Sequence, residues 1–234
     1  MSAAHPVLDA FATGLWQSNC YLLGAPGTGR CVVVDPGQDA APAVQQRLAH
    51  HGLTCEAIVL THGHLDHLWD VPALVEALDV PVLLHPDDHY LWEQPGAAFG
   101  DIPNAALEAQ FGLRWQPPAQ RLEPLADHQQ LSLVGLTATV RHTPGHTPGS
   151  CVLLVQREAG TPVLVAGDLL FAGSVGRTDF PRGSWERQQR ALAEVVLPLD
   201  DAVEVLPGHG PRTTVGAERA GNPFLRQAHG AADH

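Results

Sequence analysis

Short apolar runs alternate with turn residues from early in the chain. Asn19–Leu23 and Cys31–Asp35 read as strands on either side of the turn Gly24-Ala25-Pro26-Gly27-Thr28-Gly29. Ala40–His50 reads as a helix ended by Gly52. Ala57–Leu60 is wholly apolar, as a buried strand would be, and leads directly into Thr61. Leu68–Leu78 has a helical pattern, with Pro72 tolerated in a first turn, and Val82–Leu84 returns as a strand. From Glu93 to Gln120 the chain is rich in Pro, Gly and Gln with weak periodicity, which predicts a long surface excursion of the kind that borders active sites. Strand-like runs resume at Leu131–Val134, Thr137–Arg141, Cys151–Val155 and Val163–Ala166. Ser184 is placed to cap a helix over Trp185–Val196, and Val203–Leu206 is a last strand. Interleaved strand and helix patterns predict an α/β sandwich rather than a bundle. No repeat or linker divides the run, so 1–234 is expected to be one domain, with 229–234 a frayed tail.

Composition narrows the chemistry. The 234 residues are 44% apolar, ordinary for a globular protein. All 13 basic residues are arginines, because the chain contains no lysine. That excludes a phosphate loop ending in Gly-Lys and any Schiff-base lysine. A net charge of −12 with scattered arginines argues against nucleic acid and anionic membrane as partners and leaves small molecules. No apolar run reaches the length of a membrane span. Met1–Asp9 has neither a basic region nor an apolar stretch, so it does not read as a secretory signal. Cys20, Cys31, Cys55 and Cys151 sit apart and read as small buried residues. A cytoplasmic protein is expected; its oligomeric state is left open.

The histidines carry the informative pattern. Of 14, His50, His51, His85, His89, His128, His229 and His234 read as surface or packing residues. Thr61-His62-Gly63-His64-Leu65-Asp66-His67 is different, because it follows a strand end, a rigid place from which to project ligands. His62 and His64, two apart in an extended segment, point to one side. Asp66 and His67, at the entry to the next helix, can face a second centre nearby. Imidazoles with a carboxylate suit zinc, and also iron or manganese. Three later residues sit just beyond strands among glycines: His146 in Thr143-Pro144-Gly145-His146-Thr147-Pro148-Gly149, Asp168 in Gly167-Asp168, and His209 in Pro207-Gly208-His209-Gly210. Ligands converging from strand ends are how α/β folds build sites.

This order of His-x-His-x-Asp-His, then His, Asp and His, resembles the metallo-β-lactamase superfamily. The framing segments resemble glyoxalase II (hydroxyacylglutathione hydrolase) and its short bacterial relatives. They include Gly167–Phe171, Gly176-Arg177-Thr178-Asp179-Phe180 and Glu218–Phe224 with Asn222-Pro223-Phe224. The resemblance implies an αββα sandwich with the metals at one edge of the two sheets. It assigns His62, His64 and His146 to one divalent ion and Asp66, His67 and His209 to a second, with Asp168 shared. Zinc is expected first, iron or manganese as alternatives. Asp35, in Val34-Asp35-Pro36-Gly37, matches an aspartate that supports the metal loops, and Arg177 and Asp179 match a segment beside the site, as an ion pair or as substrate contacts.

The implied reaction is hydrolysis by a metal-activated hydroxide, with Asp66 and Asp168 as the carboxylates of the catalytic centre. A thioester such as an S-(2-hydroxyacyl) thiol is the expected substrate, since a thiolate leaves without a strong general acid. The absence of lysine, and the short stretch after His209, argue against a glutathione carrier. A mono-iron persulfide dioxygenase is the alternative reading. An exported β-lactamase and an RNA-processing nuclease fit the N-terminus and the charge less well.

Overall fold

Alternation along the strands decides how the layers stack. In β2 (Ser18–Leu23), Cys20 and Leu22 turn to one core while Tyr21 and Leu23 turn to another. In β3 (Arg30–Val34), Cys31 and Val33 pair with the first set and Val32 and Val34 with the second. A strand apolar on both faces must be covered on both faces. The computed structural model describes residues 6–100, 102–112, 114–118, 121–157 and 161–231.

Two six-stranded mixed sheets result. The first runs β1 (Val7–Thr13), β2, β3, β4 (Thr54–Val59), β5 (Val82–Leu84), β6 (Leu122–Pro124) in spatial order. The second runs β12 (Thr213–Thr214), β11 (Glu204–Pro207), β10 (Val163–Gly167), β9 (Cys151–Val155), β8 (Leu136–His142), β7 (Gln130–Leu133). The core between the sheets joins Tyr21, Val34 and Val59 to Val140, Leu153 and Val165. Outside the first sheet lie α1 (Ala40–His51) and α3 (Val71–Leu78), whose Val44, Leu48 and Leu74 meet Cys31 and Ile58. Outside the second lie α6 (Trp185–Ala191) and α8 (Pro223–Ala231), where Ala191, Leu225 and Ala228 meet Val152, Leu164 and Val205. The architecture is the αββα sandwich that the sequence led us to expect. Among the described residues no helix is long and apolar enough to cross a membrane.

Three expectations need correction. The pattern over Leu68–Leu78 is two helices, α2 (Leu65–Leu68) and α3, because Pro72 has no N–H to bond back to Leu68 and so opens a new helix. Asp70 at the junction bonds out to α1: its N–H donates to Pro36 O (3.1 Å) and its Oδ2 accepts from Ala41 N (2.7 Å). The 93–120 excursion is not plain loop. It contains a 3-10 turn at Pro95–Phe99 and a helix at Asn104–Phe111, and it inserts Leu107 and Trp115 into the first core. Trp115 Nε1 donates to Trp92 O at 2.6 Å. A few large side chains anchor this segment, which periodicity does not register. At the C-terminus, the backbone of 229–231 continues the last helix, and 232–234 lie outside the described residues.

Candidate metal centre

The ligand-type residues lie where strands end. β4 feeds the turn to His62–His67, β8 the loop with His146, β10 Asp168, and β11 His209. Backbone bonds tie these ends together across the sandwich: Cys151 N to Thr61 O (2.8 Å), Gly208 N to Gly167 O (2.8 Å) and Asn19 N to Gly208 O (2.7 Å). Glycine is needed where the ends crowd, since a Cβ on Gly208 would collide with Asp168 Oδ1. Gly167 holds φ +47°, and a Cβ there would collide with the Thr61 side chain.

All seven residues singled out as metal ligands converge. Ligand atoms of His62, His64 and His146 lie within 4.8 Å of one another, and so do those of Asp66, His67 and His209. Asp168 reaches both groups: Oδ2 is 3.4 Å from His146 Nε2 and 3.6 Å from His209 Nε2, while Oδ1 is 3.5 Å from His67 Nε2. The inward-facing atoms fit metal ions better than each other. His64 Nδ1 faces His146 Nε2 at 2.8 Å, and His67 Nε2 faces His209 Nε2 at 3.3 Å, nitrogen against nitrogen. Buried His62 Nε2 and Asp168 Oδ1 have no hydrogen-bond partner at all. Orphaned acceptors in a buried imidazole–carboxylate cluster are the donor set of a transition-metal site.

The outer ring nitrogens are held by oxygens, which fixes how each ring points. His67 Nδ1 lies 3.1 Å from Asp35 Oδ2, His146 Nδ1 2.6 Å from Arg177 O, and His209 Nδ1 3.1 Å from Trp16 O. Asp35 also accepts from Thr61 N (2.8 Å) and Thr61 Oγ (2.7 Å), and Thr61 Oγ meets His62 Nδ1 at 3.1 Å. Asp35 thus supports two ligand-bearing positions without facing the cluster's centre. Burial pushes the His62 and His64 imidazoles well below the usual histidine range. Burial works the same way on His67, but Asp66, Asp168 and Asp35 outweigh it and hold its proton more tightly. For Asp66 burial is outweighed in turn by His67 and His209, which keep it ionised well below the usual carboxylate range.

Several supports were not read from the sequence. Ser18 Oγ donates to Asp66 Oδ2 (3.0 Å). Asp88, fully buried, accepts from Gly63 N (2.9 Å), Thr147 Oγ (2.6 Å) and Gly149 N (2.7 Å), and so joins the loop of His62 and His64 to that of His146. Gln188 on α6 accepts from His146 N (2.9 Å) and donates to Asp168 O and Leu169 O (3.3 Å each). Asn222 bonds Ser174 O (3.0 Å) and, through Glu218, Gly173 N (2.8 Å), which anchors the turn after Phe171. The Asp in His-Pro-Asp-Asp and the inward Gln within a polar helix give no local signal of these roles. His85 and His142 also pair, stacked 3.9 Å apart at 12° near Asp87. Ligand atoms of these three also lie within 4.8 Å of one another, but His85 Nδ1 accepts from Asp87 N (3.2 Å) and His142 Nε2 meets Pro148 O (2.7 Å), and the rings are stacked, unlike the edge-on rings of His62, His64 and His146 at 77–85°.

The cluster forms the floor of a cavity of about 380 Å³. Trp16, Phe99, Phe171 and Phe180 line it beside His64, Asp66, His146, Asp168 and His209. Arg177 is at the rim, with Nε and Nη2 each 2.6 Å from the Asp179 carboxylate, so the structure brings these two together as an exposed pair.

Comparison with known proteins agrees with this geometry. The family model of the metallo-beta-lactamase superfamily matches residues 13–211. An uncharacterized protein of Mycobacterium leprae is 40% identical over 94% of this chain and 98% of its own. The hydroxyacylglutathione hydrolase GloC of Haemophilus influenzae is 34% identical over 90% of this chain and 93% of its own. Among solved structures, BLEG-1 B3 metallo-beta-lactamase superposes with a TM-score of 0.79 at 35% identity, covering 93% of this chain and 98% of that one. TTHA1623 in a di-iron-bound form gives 0.76 at 36%, covering 93% and 100%. A two-sheet sandwich with histidines and aspartates gathered at one edge defines a class of metal-dependent hydrolases. The chain belongs to the metallo-beta-lactamase superfamily.

Proposed function

We propose that the protein is a dinuclear metal-dependent thioester hydrolase that cleaves S-(2-hydroxyacyl) thiols to a hydroxy acid and a free thiol. The observation that carries this reading is the double cluster: two complete three-residue groups, with Asp168 between them, on the floor of one cavity. His62, His64 and His146 would hold one ion, Asp66, His67 and His209 the other, with Asp168 touching both. Zinc, iron or manganese suits these donors, and the di-iron form of TTHA1623 supports the dinuclear reading. When bound, such ions supply a water-derived nucleophile at neutral pH and polarise the substrate carbonyl.

The protein's own groups do the rest. Asp35 and Thr61 aim His67 and His62; Ser18 orients Asp66. Asp66 is the more open carboxylate, with 20% of its side chain exposed against 8% for Asp168. The described cysteines are all buried and none lines the cavity, so no thiol nucleophile of the protein competes. A departing thiolate, with a pKa near ~8.5, needs no strong acid beside it. The hydroxyacyl part is supported by the Haemophilus relative's name.

The test is hydrolysis of S-lactoyl thioesters by metal-replete protein, with a chromogenic cephalosporin and persulfide-dependent oxygen uptake as parallel assays. Thioester turnover lost on chelation and restored by metal is expected. Cephalosporin hydrolysis alone, or oxygen uptake alone, would replace this reading with a β-lactamase or a dioxygenase.

A further inference from the structure

The walls above the metal centre have a composition of their own. Phe180 packs edge-on against His64 (centroids 5.5 Å) and carries Phe99 against it (5.7 Å). On the other side Phe171 packs edge-on against His209 (5.8 Å), and Trp16, whose carbonyl holds His209, is braced by Trp69 (6.0 Å) and Phe111 (5.7 Å). Leu65 and Val175 fill between them. A group leaving the floor therefore runs between two aromatic walls.

Charge is nearly absent from those walls. Among the described residues lining the cavity, Arg177 is the one cation. The Nε–Nη2 edge of its guanidinium is taken by the Asp179 carboxylate, which balances its charge, and its flat face lies 4.1 Å from the centroid of Phe180. One of its two bidentate edges is filled by the protein's own carboxylate, so a substrate carboxylate would meet an ion pair rather than a lone cation.

We infer that the thiol half of the substrate is an uncharged, apolar thiol, aromatic or branched, and not a carboxylate-bearing one. This rests on the thioester-hydrolase reading and narrows it. The acyl carbonyl sits at the floor and a 2-hydroxyacyl group is small, so the larger thiol half projects along Trp16, Phe99, Phe171 and Phe180. Water adds its oxygen to the carbonyl carbon, the carbon–sulfur bond breaks, the carboxylic acid leaves as its anion and a proton, and the sulfur takes the other proton as a thiol. A carboxylate on the thiol half would lose its water among the rings and find the cavity's one arginine already paired with Asp179, and Asp66 and Asp168 line the same floor.

A matched pair of substrates tests this: S-lactoyl benzyl thiol and S-lactoyl 4-carboxybenzyl thiol, which share a ring and differ by one carboxylate, with S-lactoylglutathione as a third. The benzyl thioester should exceed the other two in kcat/KM by about tenfold or more, the scale expected when a carboxylate must shed part of its water without an unpaired cation to receive it. Asp179→Asn frees Arg177, and Phe99→Arg adds a cation at an exposed rim position; each should narrow that ratio at least threefold by raising the carboxylated substrates. The non-hydrolysable thioethers S-(2-oxopropyl) benzyl thiol and its 4-carboxy analogue, titrated calorimetrically, should show the same order of affinity. Equal or better handling of the carboxylated members by wild type, in turnover and in binding, would overturn the inference while leaving the thioesterase intact. Absence of all thioester turnover would remove the thioesterase reading, and the thioether affinities would still decide which side group the walls accept.

Discussion

Asp88 offers the sharpest test of how the two ligand loops are held together. It hydrogen-bonds none of the seven candidate ligand side chains, yet its carboxylate accepts from the backbone of Gly63, between His62 and His64, and from Thr147 and Gly149, just after His146. Asp88→Ala strands two buried backbone N–H groups, at Gly63 and Gly149, each at a cost of about 1–3 kcal/mol. Thr147 Oγ keeps Ser150 Oγ at 2.7 Å and loses little. Against this stands the carboxylate's own burial, which raises its pKa despite the three donors, so removing it recovers part of the loss. The net destabilisation should be about 3 kcal/mol, a fall in Tm of roughly 6–12 °C for a chain of this size. Asp88→Asn keeps one acceptor oxygen but turns an amide N–H toward one of the donors, and should cost about half as much. The decisive measurement is metal content and affinity beside Tm. Both variants should lose the ion at His62, His64 and His146 before the one at Asp66, His67 and His209. Full metal affinity in a variant whose Tm has fallen would refute the coupling, and an unchanged Tm would refute the hydrogen-bond arithmetic.

Gln188→Ala should lower Tm and metal affinity together by removing the link between His146 N and the Asp168 carbonyl, whereas Gln188→Glu, which keeps the acceptor but sets a carboxylate against two carbonyls, should be worse at neutral pH than at pH 5; thermal melts at both pH values check this. His209→Ala should leave the fold intact, release the second ion first and cut thioester turnover by several kcal/mol of transition-state stabilisation; retained turnover would argue against a dinuclear hydrolase. Acidification should strip the metals, because imidazoles bind only when neutral and free histidine titrates near ~6.5. Elemental analysis after dialysis at stepped pH should show loss as pH falls, and full retention at pH 4 would refute the five-histidine ligand set.

The clustering of the candidate ligands was legible because it is local. His62, His64, Asp66 and His67 fall within one strand end and the turn after it, and His146, Asp168 and His209 each follow an apolar strand, so the pattern of runs and the positions of the polar residues carry the same message. The supports were illegible for the opposite reason. Asp88 lies 25 positions from Gly63 and 61 from Gly149, and Gln188 lies 42 from His146. Nothing near either residue distinguishes a buried acceptor from a solvated side chain. Burial itself, the quantity that makes them matter, exists only once the layers have stacked.

The cavity walls show where that division leads. Trp16 comes from the turn between β1 and β2, Phe99 from the excursion that looked like surface loop, and Phe171 and Phe180 from either side of the segment after Asp168. No spacing relates these four, because they share no element: Phe180 meets His64 and carries Phe99, while Phe171 and the Trp16 carbonyl meet His209. In the proposed function the floor residues must keep fixed distances to bind ions, and they are held on strand ends with hydrogen bonds behind them. The walls need only present apolar area, so loops can supply them and can change without disturbing the floor. The proposed reaction class and substrate choice are therefore carried by different parts of this chain. Exchanging Phe99 or Asp179 should alter which thioester is preferred while leaving metal content untouched, and exchanging His209 should do the reverse.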